Sequence, residues 1–186
     1  MLAITYAAAL YGIDGFPVTV ECTAKRGLAS FEIVGLPDAA VRESEKRIFT
    51  GTANCGFPLP DMEAVINLAP ADRKKEGTAL EMAILCALYS ACGILGEGTD
   101  LSSMCFIGEI SFSGEIRPVR GVLGMTLAAI AAGKTQIFVP EANIREASVA
   151  ETPGVSIYGV PDIPTLLAHL NGSETMTPSY ADPFAQ

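Results

Sequence analysis

Gly121–Val160 runs GVLGMTLAAIAAGKTQIFVPEANIREASVAETPGVSIYGV, and this stretch decides the fold class. Gly121–Ala132 predicts a helix, closed at Gly133, because glycine takes the left-handed backbone of a helix C-terminus at little cost. Gln136–Val139 is a short β-branched and aromatic strand, Ile144–Ala150 a short helix, and Val155–Val160 a second strand. Asp162 then offers an N-cap to a helix ending at Asn171-Gly172. Strands alternating with helices indicate α/β layers.

Outward from there, Ser113-Gly114 predicts a tight hairpin turn between Phe106–Phe112 and Glu115–Val119. Thr78-Ala79-Leu80-Glu81 matches a capping box, with Glu81 at the third helical position, and opens an apolar helix to about Gly93. Ala64–Leu68 is a short buried strand. Asp38 caps a helix reaching Cys55, with Val41, Ile48 and Cys55 on one face and Glu43-Arg47 as an (i, i+4) pair. Leu2–Leu10, Phe16–Lys25 and Ala29–Val34 read as strands of an antiparallel meander turning at Gly12–Gly15. SETMTPSYADPFAQ, residues 173–186, has no periodicity and reads as a linker after a domain of residues 1–172.

With 49% hydrophobic and 18% charged positions, the chain has enough apolar content for a core and is not disordered. Twelve Lys and Arg face 21 Asp and Glu, a net charge of −9, which excludes a general nucleic-acid coat. Up to Arg120 there are ten basic and fifteen acidic residues, and only two and six follow. A local basic patch therefore belongs to the first two thirds. Five cysteines without a C-x-x-C pair, beside the single His169, build no zinc site of usual spacing. They suit a reducing cytoplasm as small buried hydrophobes. The N-terminus lacks the basic region of a signal peptide, and Ala83–Leu95 is shorter than the ~20 residues that cross a bilayer.

Gly133-Lys134-Thr135 is not a phosphate loop: Ala128 occupies the place of the required glycine, and a helix precedes it where a strand should. His169 has no carboxylate at an evident spacing and reads as a surface or half-buried residue. Arg73, Lys74 and Lys75 precede a helix N-terminus, where a phosphate could be held, although Asp72 and Glu76 dilute the patch and a solvated loop is the simpler reading. Arg42, Lys46 and Arg47 form the second cationic cluster. These six are the candidate DNA contacts, with Lys74 and Lys75 expected outside the core.

FEIVGLPDAAVRESEKR (Phe31–Arg47), INLAPADRKKEG (Ile66–Gly77) and FIGEISFSGEIRPVRGVL (Phe106–Leu123) together resemble the N-terminal domain of the ComM/YifB-type magnesium-chelatase-like bacterial AAA+ family, in order and spacing to about Asn171. The resemblance implies a two-layer α/β fold with a mixed sheet, like the proteolytic domain of Lon, the C-terminal domain of RadA and a small-subunit ribosomal protein. It also implies a left-handed βαβ crossover, against the usual right-handed rule.

Lon-type proteases use a serine in a P-K-D-G-P-S-A-G loop, activated by a lysine. The matching position of the serine here is Ala79, and that of the lysine is Leu123; a methyl and an isobutyl group can neither attack nor take a proton. The resemblance therefore implies a domain without catalysis and without a cofactor. ATP and Mg²⁺ would belong to an ATPase module beyond the linker. It implies a cytoplasmic protein that assembles with itself as a ring, expected to be hexameric, and drives branch migration on DNA during natural transformation. Single-stranded or branched DNA is the expected partner, and no membrane is. Three roles stay open: assembly with DNA contact, a pure oligomerisation scaffold, and docking to a metal-insertion partner.

Overall fold

The structure is a computed structural model and describes residues 1–96 and 98–179. Strands β1 (Leu2–Tyr11) and β2 (Asp14–Arg26) form a long hairpin around Gly12-Ile13, with Gly12 at φ 64° as the tight turn requires. Alternate side chains of β2, from Phe16 to Ala24, enter the core. β4 (Met62–Ala69) pairs antiparallel with β2, and β3 (Ser30–Val34) pairs parallel with β4. The order β1-β2-β4-β3 corrects the expected meander: β3 is carried past β2 to the far edge.

A helical connection links β3 to β4. Where one helix was expected there are two, α1 (Ala39–Arg42) and α2 (Ser44–Asn54), because the chain tightens at Glu43 into a Lys46 N–H to Glu43 C=O bond of 3.1 Å. Asp38 does cap α1, its Oδ1 accepting from Val41 N–H at 2.8 Å. β4 leads through a loop to α3 (Glu81–Ala91), which is buried all round except for Ser90, as its continuous apolar sequence demands. Its polar atoms are paired: Thr5 Oγ1 donates to Ala83 C=O at 2.7 Å and Tyr89 O–H to Phe57 C=O at 2.6 Å.

The chain continues through β5 (Met104–Phe106), a small hairpin of β6 (Glu109–Ile110) and β7 (Ile116–Arg117), and α4 (Val122–Ala131). β8 (Gln136–Pro140), the short α5 (Ile144–Ala147), β9 (Ser156–Val160) and α6 (Ile163–Leu170) complete it. β5, β8 and β9 form a parallel three-stranded sheet. The four-stranded sheet is mixed, as the resemblance implied, and the remaining strands form this parallel sheet and the two-stranded β6–β7 hairpin.

One core cluster joins the four-stranded sheet to α3 and α6, and a second lies among α4, α5, β5 and β8. α4 approaches the first hairpin so closely that a Cβ on Gly15 would stand 2.2 Å from the Gly124 carbonyl oxygen. Cys22, Cys86 and Cys105 are buried, and burial pushes their thiols up, Cys22 to about 11 and Cys105 to about 12. His169 is half-buried against Phe138 and Tyr158, burial lowers its pKa, and its Nδ1 accepts from Met176 N–H at 2.9 Å. Of the linker expected over 173–186, residues 180–186 lie outside the described residues. Before them, Ser179 N–H donates to the Ile157 carbonyl of β9 at 2.7 Å. No helix of the described residues is long and apolar enough to cross a membrane.

Candidate functional site

The three stretches that carry the resemblance converge on one side of the molecule. The loop after β4 returns to the start of α1 as a short parallel bridge, with Lys75 N–H donating to Leu36 C=O at 3.0 Å and Asp38 N–H to Lys75 C=O at 2.9 Å. Asp38 adds a second tie through Oδ2, which accepts from Gly77 N–H at 3.1 Å. Lys75 itself is corrected from a solvated residue to a core one. It is fully buried, and its ammonium donates to the Gly35 carbonyl at 2.7 Å and to the Pro70 carbonyl. Burial lowers its pKa, opposed by Asp72. The reason is tertiary: the Gly35 carbonyl, brought against the loop by the fold, and the Pro70 carbonyl both take the ammonium as their donor.

The capping box is also corrected. α3 begins at Glu81, which therefore stands at the first helical position, and the Thr78 hydroxyl donates to Glu109 Oε2 at 2.9 Å. The entry into α3 is satisfied from outside, by Gly108, whose N–H donates to Ala79 C=O at 2.9 Å and whose C=O accepts from Met82 N–H at 3.1 Å. Glu81 is drawn inward instead. Its Oε1 accepts from Arg47 Nε–H and its Oε2 from Ile110 N–H at 2.8 Å, with the side chain 1% exposed. Burial pushes its carboxyl up to about 7, held back from rising further by the Ile110 amide and Arg47. For Arg47, burial works to lower the pKa, and the contacts with Glu81 and Glu43 outweigh it.

Around this frame lies a trough of three connected grooves. The central one, about 730 Å³, has Ala9, Leu10 and Gly12 on one side, Gly77, Thr78 and Ala79 on the other, and Asp38, Glu76, Glu109 and Arg120 as its charges. Ala79, 9% exposed and packed in the second core cluster, also lines this groove. The segment that carries Leu123 lends Val119, Arg120 and Met125 to the lining, while Leu123 N–H donates to Glu146 Oε1 at 3.1 Å.

Leu10, Gly12 and Glu76 are shared with a groove of about 470 Å³ that contains Arg73 and Lys74. Glu109 is shared with a third of about 510 Å³ containing Lys46, Arg47 and Arg117. The two predicted cationic clusters therefore stand toward opposite ends of one trough, with carboxylates between them. Arg73 lies 5.0 Å above the Phe16 ring, and Lys74 is exposed beside Glu76 at 3.5 Å. Arg42 and Lys46 are exposed. Arg47 is spent on Glu81, on Glu43 at 3.5 Å and on the Ala40 carbonyl at 2.9 Å.

Sequence reasoning missed Arg117, which the short β6–β7 hairpin places opposite Glu109 in register and beside Lys46 in the groove. It also missed Arg120 and the exposed Phe112, at the far end of the same trough. The hairpin turn at Ser113-Gly114 was the available signal for Arg117. Among the described residues, no group of three His, Cys, Asp or Glu could hold a metal ion.

The family described as subunit ChlI of Mg-chelatase matches residues 20–143. Over 172 residues the chain is 36% identical to an uncharacterized protein of Mycobacterium tuberculosis H37Rv, covering 92% of this chain and 34% of that protein. It is 32% identical over 175 residues to the uncharacterized protein YifB of Salmonella typhimurium, and 31% identical over 175 residues to competence protein ComM of Haemophilus influenzae. Each of those alignments covers 94% of this chain and 34% of the relative. The chain spans about a third of the length of the curated relatives it matches. By the extent of the family match and its agreement with the ComM and YifB alignments, the chain belongs to the family of the ChlI subunit of Mg-chelatase.

Proposed function

We propose that the chain is the non-catalytic N-terminal domain of a ComM/YifB-type magnesium-chelatase-like AAA+ ATPase. In this reading it has the Lon-like fold with its left-handed crossover, over residues 1–172, and residues 173–186 lead to the ATPase module. ATP and Mg²⁺ serve that module, and the whole cytoplasmic protein works on DNA as a ring, a hexamer, driving branch migration in natural transformation. The observation that carries the reading is that an alanine, Ala79, lines the central groove, in the loop where a Lon-type protease would need its nucleophile. Turnover of unfolded casein or of ATP by this domain, above a heat-killed control, would overturn it.

The domain contributes assembly, DNA contact or both. For DNA contact, Arg42, Lys46, Arg73 and Lys74 are the exposed members of the predicted set, with Arg117 added, whereas Lys75 and Arg47 are committed internally. Fluorescence anisotropy with single-stranded and four-way-junction DNA tests this. Binding should be weak for one copy of the domain, fall steeply with salt, and be lost in a Lys46→Glu, Lys74→Glu variant. The carboxylates in the middle of the trough favour a second reading, in which the domain is an oligomerisation scaffold or partner-docking module without DNA contact. Salt-independent self-association with no DNA binding would select it.

A further inference from the structure

We propose that the central groove is a docking site for an extended, lysine- or arginine-rich polypeptide segment, which adds as a strand to the outer edge of β1. This stands independently of DNA contact. β1 is the first strand in its sheet, so one of its sides carries no ladder. Tyr11 and Asp14 close the two-residue turn, and the alternation of antiparallel pairing then points the N–H and C=O of Leu10 away from β2. Further back along that edge, Ala8 is buried in the cluster that includes Cys105 and Ile107. The edge is open where Ala9 and Leu10 form one wall of the groove.

The facing wall is also main chain. Among the described residues the amides of Thr78 and Ala79 have no protein acceptor, and they enter the groove ahead of the first turn of α3. Main-chain donors on one side and an open strand edge on the other fit an added strand, whose backbone supplies both partners. Gly12, which has no side chain and nothing within 4 Å of where a Cβ would stand, leaves room for it.

Charge decides the occupant. Asp38 and Glu109 are held in the groove by their bonds to Gly77 N–H and the Thr78 hydroxyl, and Glu76 joins them from the rim, where Lys74 lies 3.5 Å away; within the lining these three carboxylates outnumber the one cation, Arg120. That balance attracts a cationic segment and repels a polyanion.

The experiment uses the full 186-residue chain and a capped peptide alternating valine with lysine, its valine–glutamate counterpart, and the lysine peptide N-methylated at alternate amides. Hydrogen exchange at the Leu10 amide and fluorescence polarisation are read together. The lysine peptide should slow Leu10 exchange, while the glutamate and N-methylated peptides should not. Glu76→Lys, a change at an exposed side chain, should weaken binding roughly tenfold. Equal protection by the glutamate peptide, equal binding by the N-methylated peptide, or unaltered Leu10 exchange at about 1 mM lysine peptide would overturn the proposal. Protection of Leu10 by a single-stranded oligonucleotide would overturn it too, in favour of a nucleic-acid groove.

Discussion

Replacing Arg47 with Met isolates the buried carboxylate of Glu81. In the unaltered protein Glu81 has a folded pKa of about 7 against an ordinary 4.5. The folded state therefore holds the proton more tightly, and the stability that follows is complete below about pH 4.5 and is lost as pH rises through about 7. At pH 8 the carboxylate form is favoured by one pH unit, about 1.4 kcal/mol. Stranding a buried charge would cost about 3–5 kcal/mol. Taking up a proton costs less, so Arg47→Met should escape that way.

The pH-dependent part of the loss is then limited to about 1.4 kcal/mol, added to about 2 kcal/mol for the two well-formed hydrogen bonds lost, to Glu81 and to the Ala40 carbonyl. Urea unfolding should show a loss of about 3.5 kcal/mol at pH 8 and about 2 kcal/mol at pH 5.5, with the slope against urea unchanged. A cost equal at the two pH values, or larger at pH 5.5, would refute the reasoning.

Glu81→Gln keeps an acceptor for Ile110 N–H and removes the charge, so the fall of stability between pH 5 and pH 8 should become shallower in the same urea titrations. Lys75→Met should cost about 1–3 kcal/mol by leaving the Gly35 and Pro70 carbonyls without their donor. Lys75→Glu should cost several kcal/mol more, as a buried charge without a partner, and both are read as loss of Tm. Gly15→Ala should cost about 1–3 kcal/mol, because its methyl group meets the Gly124 carbonyl; a variant as stable as the parent would mean that α4 does not press on the hairpin.

Local rules made most of the elements legible. The caps at Asp38 and Asp162, the left-handed Gly133 and the unbroken apolar face of α3 lie where residue chemistry places them. Pairing was less legible, because the strand alternation of Ser30–Val34 does not say which neighbour it will take, and the helical connection to β4 decided that. The site was legible in part. Ala79 draws notice only through a family motif, and in the structure it is one of the residues lining the groove. Lys75 and Glu81 were misread because both act through tertiary partners: carbonyls at Gly35 and Pro70 for one, Arg47 and the Ile110 amide for the other. A charged side chain in a loop or a first helical turn carries no local mark of being swallowed by the core.

The buried ammonium of Lys75 also gives the protein a chemical clock of its own. Lys74 and Lys75 are adjacent in sequence, yet one side chain is 65% exposed and the other fully enclosed. An amine-acylating reagent should therefore modify Lys74 at once and reach Lys75 only when the bridge that ties Lys75 to Leu36 and Asp38 comes apart. The ratio of the two labels within a single proteolytic peptide would time the opening of this corner, with the neighbouring residue as its internal standard.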